Sequence, residues 1–347
     1  MNTYGISAIS TILISFFVTL ILGKFLIPFL HKLKYGQTIL EIGPSWNKNK
    51  QGTPTMGGIM FIVGTVIATA IGIWMYYFIS SCYGIQIFET SLMMTKIFAG
   101  LGMAVSYGIV GMMDDMVKIK NKQNAGLTPK QKLVLQFAIV GCYFLALHII
   151  NNMYGGASLT TVNIPFFGSI ELGIFYWIIM AVIVVGIVNS ANLTDGIDGL
   201  SASVAFFIAV FYMIMANISG MFGISLEAAA LAGGCLGFLF WNFHPAKVFM
   251  GDTGSLFLGG MVCALGLGMG LQIPMIILAF VYIAEMFSVI IQVLYFKATH
   301  GKRLFKMSPI HHHFEMCGWS ETKICAVFSI ATIILGIIST LTVIYGM

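Results

Sequence analysis

The chain contains five aspartates, and all five lie at the ends of apolar segments or in the polar connections beside them: Asp114, Asp115, Asp195, Asp198 and Asp252. Acidic side chains are rare near lipid and tend to mark functional sites. Carboxylate oxygens are also the ligands that Mg²⁺ prefers, and this ion commonly bridges the phosphates of a substrate. The aspartates therefore indicate a site for metal-assisted phosphate chemistry at one edge of a membrane.

Each aspartate has its own local context. Asp114 and Asp115 are adjacent in GMMDDMVKIK, where a long uncharged run ends. Asp195 and Asp198 are three residues apart in NLTDGIDGL, which places them on one face if that segment is helical. Asp252 lies in GDTGS, where the alternative is an ordinary helix N-cap. We favour a functional role for Asp252 because the other four lie on the same predicted side of the membrane.

Two further polar segments accompany the aspartates. NKNKQGTPTMGG at 47–58 is a basic loop before an apolar run, and lysines of this kind neutralise phosphate oxygens. SPIHHHFE at 308–315 contains His311, His312 and His313. Neighbouring side chains on a helix point about 100° apart, so on a helix the three histidines could not all bind one metal, and separate roles are favoured. No Walker loop is present, which excludes a P-loop ATPase.

The elements that carry these residues are predicted to be membrane helices. The chain is 59% hydrophobic and only 8% charged, whereas soluble domains carry about 25% charged residues. The apolar runs are continuous rather than alternating, which excludes a closed barrel and leaves helices. We predict an all-α integral membrane protein with ten spans, near 6–30, 57–79, 94–113, 133–150, 172–188, 200–217, 227–243, 254–271, 274–296 and 323–345.

Basic residues predict the orientation of these spans. Of the 17 basic residues, fourteen fall in alternate connections, which are therefore assigned to the cytoplasm. With ten spans, both termini are extracytoplasmic, and residues 1–347 form a single polytopic membrane domain. The segment 158–172 lacks basic residues and is predicted to be a small outer β-hairpin. The fourteen are Lys32, Lys34, Lys48, Lys50, Lys118, Lys120, Lys122, Lys130, Lys132, Lys247, Lys297, Lys302, Arg303 and Lys306.

Five motifs in this order resemble those of a known family: KQGTPTMGG, GMMDD, NLTDGIDGL, WNFHPAKVFMGDTGSLFLGG and SPIHHHFE. They run from about residue 48 to 315 and resemble the bacterial phospho-N-acetylmuramoyl-pentapeptide transferases. These enzymes belong to the polyprenyl-phosphate N-acetylhexosamine-1-phosphate transferase superfamily. The HHHFE and GTPTMGG forms favour the muramoyl-pentapeptide branch over the GlcNAc-1-phosphate branch.

The resemblance implies a Mg²⁺-dependent enzyme in the bacterial cytoplasmic (inner) membrane, with its active site facing the cytoplasm. Its partners would be UDP-MurNAc-pentapeptide, undecaprenyl phosphate and the lipid bilayer, with no nucleic acid and with a homodimer left open. The implied reaction transfers phospho-MurNAc-pentapeptide to undecaprenyl phosphate, giving lipid I and UMP in peptidoglycan synthesis. Carboxylates at the edge of an oily run suit such a reaction, since one substrate arrives from the bilayer and the other from water.

The resemblance also implies residue roles. Asp252 is expected to bind Mg²⁺, and Asp114 is expected to act as the base or orienting acid for the lipid phosphate, with Asp115 as its neighbour. The three histidines, His311, His312 and His313, are expected in the catalytic site. Substrate-binding roles are expected for Lys50, Thr55, Lys132, Asn192, Asp195, Asp198, Asn242 and Phe249, the last stacking on uracil.

Some positions fit the family pattern less closely. Gln292 lies one helix end away from the motifs and is a weaker candidate. Gln51 stands where many family members carry a basic residue, although Lys50 remains beside it. Glu285 lies deep in the ninth predicted span and receives no role beyond that of a packed or groove-facing acid.

Two rival functions are distinguishable. A transporter would place acids and broken helices near the bilayer midplane, whereas all five aspartates here lie at one predicted edge. A sister transferase that uses UDP-GlcNAc would differ only in its sugar donor, so substrate competition would separate the two.

Overall fold

The computed structural model describes residues 3–32, 50, 52–83, 91–121, 125–156 and 158–346. Within these residues the protein is nearly all helical, with one small two-stranded sheet. The basic residues Lys34, Lys48 and Lys122 of the predicted cytoplasmic connections, together with Gln51, lie outside the described residues.

The described part contains twelve α-helices. Nine of them are long and apolar enough to cross a membrane, the exceptions being α8, α9 and α11, so the chain is a multi-pass membrane protein. The helices are α1 (Thr3–Lys32), α2 (Gly58–Cys82), α3 (Ser91–Asn121), α4 (Pro129–Met153), α5 (Ile174–Thr194), α6 (Leu200–Ile218), α7 (Phe222–Asn242), α8 (Gly251–Gly268), α9 (Gln272–Leu278), α10 (Phe280–Ala298), α11 (Ile310–Met316) and α12 (Glu321–Tyr345).

Three site-bearing helices extend beyond their predicted apolar runs. α3 continues past 113 to Asn121, so its two aspartates lie within the helix. α4 begins at Pro129 rather than 133, because Thr128 and Gln131 form a capping box at its start. α5 continues past 188 to Thr194. Hydropathy detects only the lipid-exposed length of a helix, whereas these polar turns are stabilised by local hydrogen bonds and ion pairs.

The ninth predicted span, 274–296, is two helices rather than one. α9 and α10 meet at Ala279, which caps the end of one and the start of the other. Backbone hydrogen bonds run from Ala279 N to Met275 O at 2.9 Å and from Ile283 N to Ala279 O at 3.1 Å. The chain thus crosses the break without a polar loop, and the apolar pattern alone does not reveal it.

Helix α8 lies at the centre of the fold. Every residue from Thr253 to Gly268 is buried, and glycines allow its neighbours to approach closely. A Cβ added at Gly259 would lie 2.6 Å from Val188 Cα of α5, and one added at Gly111 of α3 would lie 2.1 Å from Asp252 O. Small residues therefore bring the site-bearing ends of α3 and α5 against the start of α8.

The four-residue spacing of Gly233 and Gly237 in the sequence predicts close helix packing, and the structure confirms it. Cβ atoms at these two positions of α7 would lie 2.3 Å from Ile12 O and 2.7 Å from Phe16 O of α1, respectively. The absence of side chains is therefore what allows α1 and α7 to pack with their backbones nearly touching.

The predicted hairpin is also confirmed. Strands β1 (Thr161–Ile164) and β2 (Gly168–Glu171) pair antiparallel, with Thr161 opposite Glu171 and Ile164 opposite Gly168. At the hairpin turn, Phe166 N donates a 3.0 Å hydrogen bond to Gly346 O, just beyond α12.

Candidate active site

Three carboxylates converge where α3 meets the start of α8. Oxygen atoms of Asp114, Asp115 and Asp252 all lie within 4.8 Å of one another. The Lys118 ammonium, one helical turn after Asp114, lies 2.7 Å from Asp114 Oδ2, 3.1 Å from Asp252 Oδ2 and 3.9 Å from Asp115 Oδ1. One lysine is therefore the shared counter-ion of the whole cluster.

Asp115 is bound to the first turn of α8. It accepts hydrogen bonds from Asp252 N at 3.2 Å, from Thr253 N at 2.9 Å and from Thr253 Oγ1 at 2.7 Å. The residue at the N-cap position of α8, Met250, provides no side-chain cap. Asp115 thus caps α8 from a neighbouring helix, and the N-cap alternative for Asp252 does not apply.

The Asp252 carboxylate is held by groups from two other helices. Lys132 Nζ of α4 lies 2.6 Å from its Oδ2, and Asn192 Nδ2 of α5 donates to its Oδ1 at 2.9 Å. Asn192 Nδ2 also lies 2.8 Å from Ser255 Oγ, one turn further along α8. The capping box of α4 places Lys132 in the first turn of its helix, which directs it to this cluster.

Asp114 is enclosed by the connection that follows α3. Its Oδ1 accepts a 2.8 Å hydrogen bond from Leu127 N. A Cβ at Gly126 would lie 2.5 Å from that oxygen, so only glycine lets this connection close over the carboxylate. Asp114 is 3% exposed, and its remaining lone pairs are directed at the cluster and Lys118.

A second polar cluster surrounds Asp198. Lys50 Nζ lies 2.8 Å from Asp198 Oδ1 and 2.7 Å from Glu321 Oε2, and His244 Nδ1 lies 3.1 Å from Asp198 Oδ2. Glu321 Oε2 also accepts from Asp198 N at 2.9 Å. Burial alone would lower the pKa of Lys50, but its hydrogen bonds to Asp198 and Glu321 outweigh burial and raise that pKa.

Asp195 and Asp198 are not on a helix. α5 ends at Thr194 and α6 begins at Leu200, so the two carboxylates lie in a turn and diverge. Asp198 joins the cluster around Lys50. Burial, followed by the negative charges of Asp252, Asp115 and Asp198, raises the pKa of Asp195 well above its usual range.

The segment before α8 is joined by hydrogen bonds to the segment before α2 and, through Asn242, to the turn between α5 and α6. Phe249 N donates to Pro54 O at 2.8 Å, and a Cβ at Gly251 would lie 2.7 Å from Thr55 Oγ1. Gly251 has a φ of +70°, a conformation that favours glycine. Asn242 accepts from Gly199 N at 3.1 Å and donates to Val248 O at 2.9 Å. Asn242 is therefore a structural link between two site loops.

Each histidine of the triplet has a different contact partner. His311 is fully buried, with Nδ1 3.1 Å from Glu285 Oε2. His312 Nδ1 lies 2.5 Å from Glu315 Oε2, and His313 Nδ1 accepts a 3.1 Å hydrogen bond from Lys306 N.

Gln292 forms hydrogen bonds with the segment between α10 and α11. Its Oε1 accepts from Leu304 N at 3.1 Å and Phe305 N at 2.9 Å, while its Nε2 donates to Phe305 O at 3.0 Å. All three hydrogen bonds are internal, so Gln292 stabilises the loop that precedes the histidines.

The structure thus brings Asp114, Asp115, Asp252, Lys132 and Asn192 into one cluster and Lys50 and Asp198 into a second. Sequence reasoning assigned no site role to Lys118, His244 or Glu321. In the sequence, Lys118 serves only as evidence for the orientation of the spans, although its spacing from Asp114 is that of a helical ion pair. For Glu321, the only sequence signal was the helix start marked by Ser320.

The three-carboxylate cluster could hold a metal ion. Its donors are oxygens only, they converge from two helices, and a cationic group of this protein already lies within 4 Å of all three. Oxygen ligands of this kind suit hard cations such as Mg²⁺, and Asp252 also contacts Asn192 and Lys132.

Comparison with known proteins identifies the class. Residues 97–270 match the family model described as glycosyl transferase family 4, and the chain belongs to that family. Residues 50–62 match signature 1 of the phospho-N-acetylmuramoyl-pentapeptide-transferases.

Full-length relatives narrow the class further. The chain is 42% identical over 335 residues to the phospho-N-acetylmuramoyl-pentapeptide-transferase of Clostridium kluyveri, covering 96% of this chain and 98% of the relative. It is 43% identical over 327 residues to the Clostridium perfringens (strain SM101) enzyme of that name, covering 94% of each. The Clostridioides difficile (strain 630) enzyme is 42% identical over 335 residues, with coverages of 96% and 97%. The chain therefore belongs to the phospho-N-acetylmuramoyl-pentapeptide-transferase family.

Proposed function

We propose that this chain transfers phospho-MurNAc-pentapeptide from UDP-MurNAc-pentapeptide to undecaprenyl phosphate, forming lipid I for peptidoglycan synthesis and releasing UMP. The observation that carries this proposal is the cluster of Asp114, Asp115 and Asp252, bordered by Lys118 and Lys132. Such a mixture of acids and lysines suits phosphoryl transfer, which depends mainly on positioning and charge stabilisation.

In the proposed reaction, an oxygen of the lipid phosphate attacks the β-phosphorus of the nucleotide sugar. The bond from that phosphorus to the oxygen bridging to UMP breaks, and UMP leaves with the oxygen. One phosphoanhydride is exchanged for another, so the step needs no ATP. Mg²⁺, when bound, would neutralise charge on the phosphate oxygens.

The cluster residues have distinct roles in this proposal. Asp252 is the metal ligand, oriented by Asn192 Nδ2 at 2.9 Å. Asp114 accepts the proton of a singly ionised lipid phosphate. Asp115 holds the first turn of α8 through its three hydrogen bonds. Lys118 and Lys132 lie where they can stabilise the charge that develops on the phosphates.

Substrate binding is assigned to the loops that surround the cluster. Lys50, Thr55, Asp195 and Asp198 contribute polar groups for the nucleotide sugar, and Phe249 provides the aromatic surface for uracil. The backbone hydrogen bond between Phe249 and Pro54 supports this arrangement because it joins two of these loops directly.

We also propose ten spans, with both termini outside and the site open to the cytoplasm of the bacterial cell. Two observations support this orientation. Most basic residues lie in alternate connections, and the end of α3, the start of α4, the end of α5 and the start of α8 meet at one edge of the fold. That edge is where a lipid phosphate and a water-soluble nucleotide can meet.

The proposal is tested by incubating the purified protein with UDP-MurNAc-pentapeptide, undecaprenyl phosphate and Mg²⁺ and measuring UMP release. Expected are UMP and a lipid-linked sugar, both of which depend on the lipid acceptor. A parallel reaction with UDP-GlcNAc tests the sister-transferase alternative. Turnover of UDP-GlcNAc but not of the muramoyl substrate would reject the assigned sugar donor.

A further inference from the structure

Glu285 is an acidic residue within a membrane helix that the proposed reaction leaves unexplained. It lies in α10 with 0% of its surface exposed. A carboxyl group inside a span is costly unless it is paired, and such residues are usually functional. Its position away from the three-carboxylate cluster means that any role must be exerted through a neighbour.

That neighbour is His311. The same carboxylate oxygen, Glu285 Oε2, lies 3.1 Å from His311 Nδ1 and 3.4 Å from His311 N. Both side chains are fully buried. The ring contact is an ion-pair approach rather than an aligned hydrogen bond, since neither ring nitrogen of His311 has a hydrogen-bond partner among the described residues.

The other edge of the imidazole packs on Gly196. A Cβ added at Gly196 would lie 2.1 Å from His311 Nε2 and 2.7 Å from Cε1, so the ring rests directly on the backbone. Gly196 lies in the turn that carries Asp195 and Asp198. Contacts therefore run from Glu285 through His311 to this turn, and a shift of the ring must move the turn.

We propose that Glu285 is a positioning residue that acts through His311 to hold the 195–199 turn in its nucleotide-binding position. This deepens the proposed function and rests on it. His311, being fully buried between Glu285 and Gly196, supports the turn rather than touching the reacting phosphates. His312 and His313 are only partly buried, and their Nδ1 atoms contact Glu315 and Lys306 N, respectively.

Two substitutions test opposite ends of this contact chain. Glu285→Gln replaces the carboxyl group beside the ring with an amide, and Gly196→Ala drives the ring away by steric conflict. Misplacing the turn should remove binding that the ground state and the transition state share, so each variant should weaken UMP binding and raise KM for the nucleotide sugar by about tenfold, with kcat changed much less. Combining Gly196→Ala with His311→Ala should restore part of the UMP affinity, because the double variant removes the conflict.

Matched controls separate this effect from general damage to the membrane fold. Glu227→Gln neutralises another buried acid in a span, 2% exposed on α7. Gly102→Ala adds a methyl group to a helical glycine with open space beside it. Both controls should retain wild-type UMP affinity and turnover.

The outcomes are distinct. Loss of kcat with unchanged UMP binding in Glu285→Gln would overturn the positioning role in favour of a catalytic His311. Independent losses from Glu285→Gln and His311→Ala that multiply in the double variant would also overturn it. Absence of UMP release from the wild-type enzyme would instead reject the proposed function. The contact between Glu285 and His311 would then be tested by thermal stability. Non-additive effects of Glu285→Gln and His311→Ala on the melting temperature would support the contact, and additive effects would overturn it.

Discussion

Lys118 occupies the position among the three aspartates that a divalent cation would take. Replacing Lys118 with Met removes this internal counter-ion, so the cluster should bind Mn²⁺ more tightly, by about tenfold or 1.4 kcal/mol. Turnover should nevertheless fall, because the lysine also stabilises phosphate charge. Mn²⁺ affinity can be measured by electron paramagnetic resonance without substrate. Lys120→Met, an exposed lysine on the same helix, is the matched control, and weaker Mn²⁺ binding in Lys118→Met would contradict the competition.

Asp252 contacts both lysines of the cluster, Lys118 and Lys132. We expect Asp252→Asn to abolish turnover while the protein remains folded in detergent, since the amide keeps the shape but loses the metal-binding charge. Excess Mg²⁺ should restore little activity. Near-normal UMP release, measured beside an unchanged melting curve, would exclude Asp252 as the ligand.

Asp114 is the candidate base, and its role predicts a pH dependence. The second pKa of a phosphate is about 6, so the fraction of lipid phosphate that still needs deprotonation falls as pH rises. Asp114→Asn should therefore lose most activity at neutral pH, recover part of it at higher pH and still bind UMP. A loss that is flat with pH, together with lost UMP binding, would recast Asp114 as a metal-site or structural residue.

Asp114 and Asp115 are adjacent in the sequence, but they have different effects on helix stability. Asp115 caps α8, and loss of a cap costs about 0.5–2 kcal/mol. Asp115→Ala should therefore lower the melting temperature more than Asp114→Ala does, and it should also reduce activity because Asp252 begins the capped turn. Thermal unfolding of both variants in the same detergent provides the comparison. Equal melting temperatures would show that these three hydrogen bonds contribute no more stability than the contacts of Asp114 do.

Several elements were predictable because hydropathy and turn chemistry are local signals. The long spans, the hairpin and the close packing of Gly233 and Gly237 all followed from the sequence. The helix ends did not, because the last turns of α3 and the first turn of α4 are polar. Asp195 and Asp198 would share one face only if their segment were helical. The glycine-containing segment between α5 and α6 instead forms a turn.

The long-range partners in the site were not predictable from spacing. Glu321 lies far along the chain from Lys50 and Asp198, and only helix packing brings them together. His311 and Glu285 likewise lie on different helices. The carboxylates themselves were recognisable because rare acids beside oily runs stand out, whereas their counter-ions are hidden among lysines that also determine topology.

At the scale of the whole molecule, the orientation can be tested by side-specific labelling. A cysteine at Ala125 should react with a membrane-impermeant thiol reagent only from the cytoplasmic side, and one at Phe167, at the hairpin turn, only from outside. The background should carry serine at the exposed cysteines Cys82, Cys142 and Cys317. The reverse labelling pattern would overturn both the topology and the cytoplasmic site.

The central position of α8 has a consequence for how the protein is made. Its glycines and its polar first turn leave it less apolar than the nine candidate spans, and insertion into a membrane favours apolar segments. Yet it packs against α2, α3, α5, α6 and α7, all of which precede it along the chain, and, of the helices that follow, against the short α9. A ribosome therefore delivers α8 after most of its surroundings have been synthesised, so this helix can enter protein rather than lipid, and the reaction centre is completed late in biogenesis.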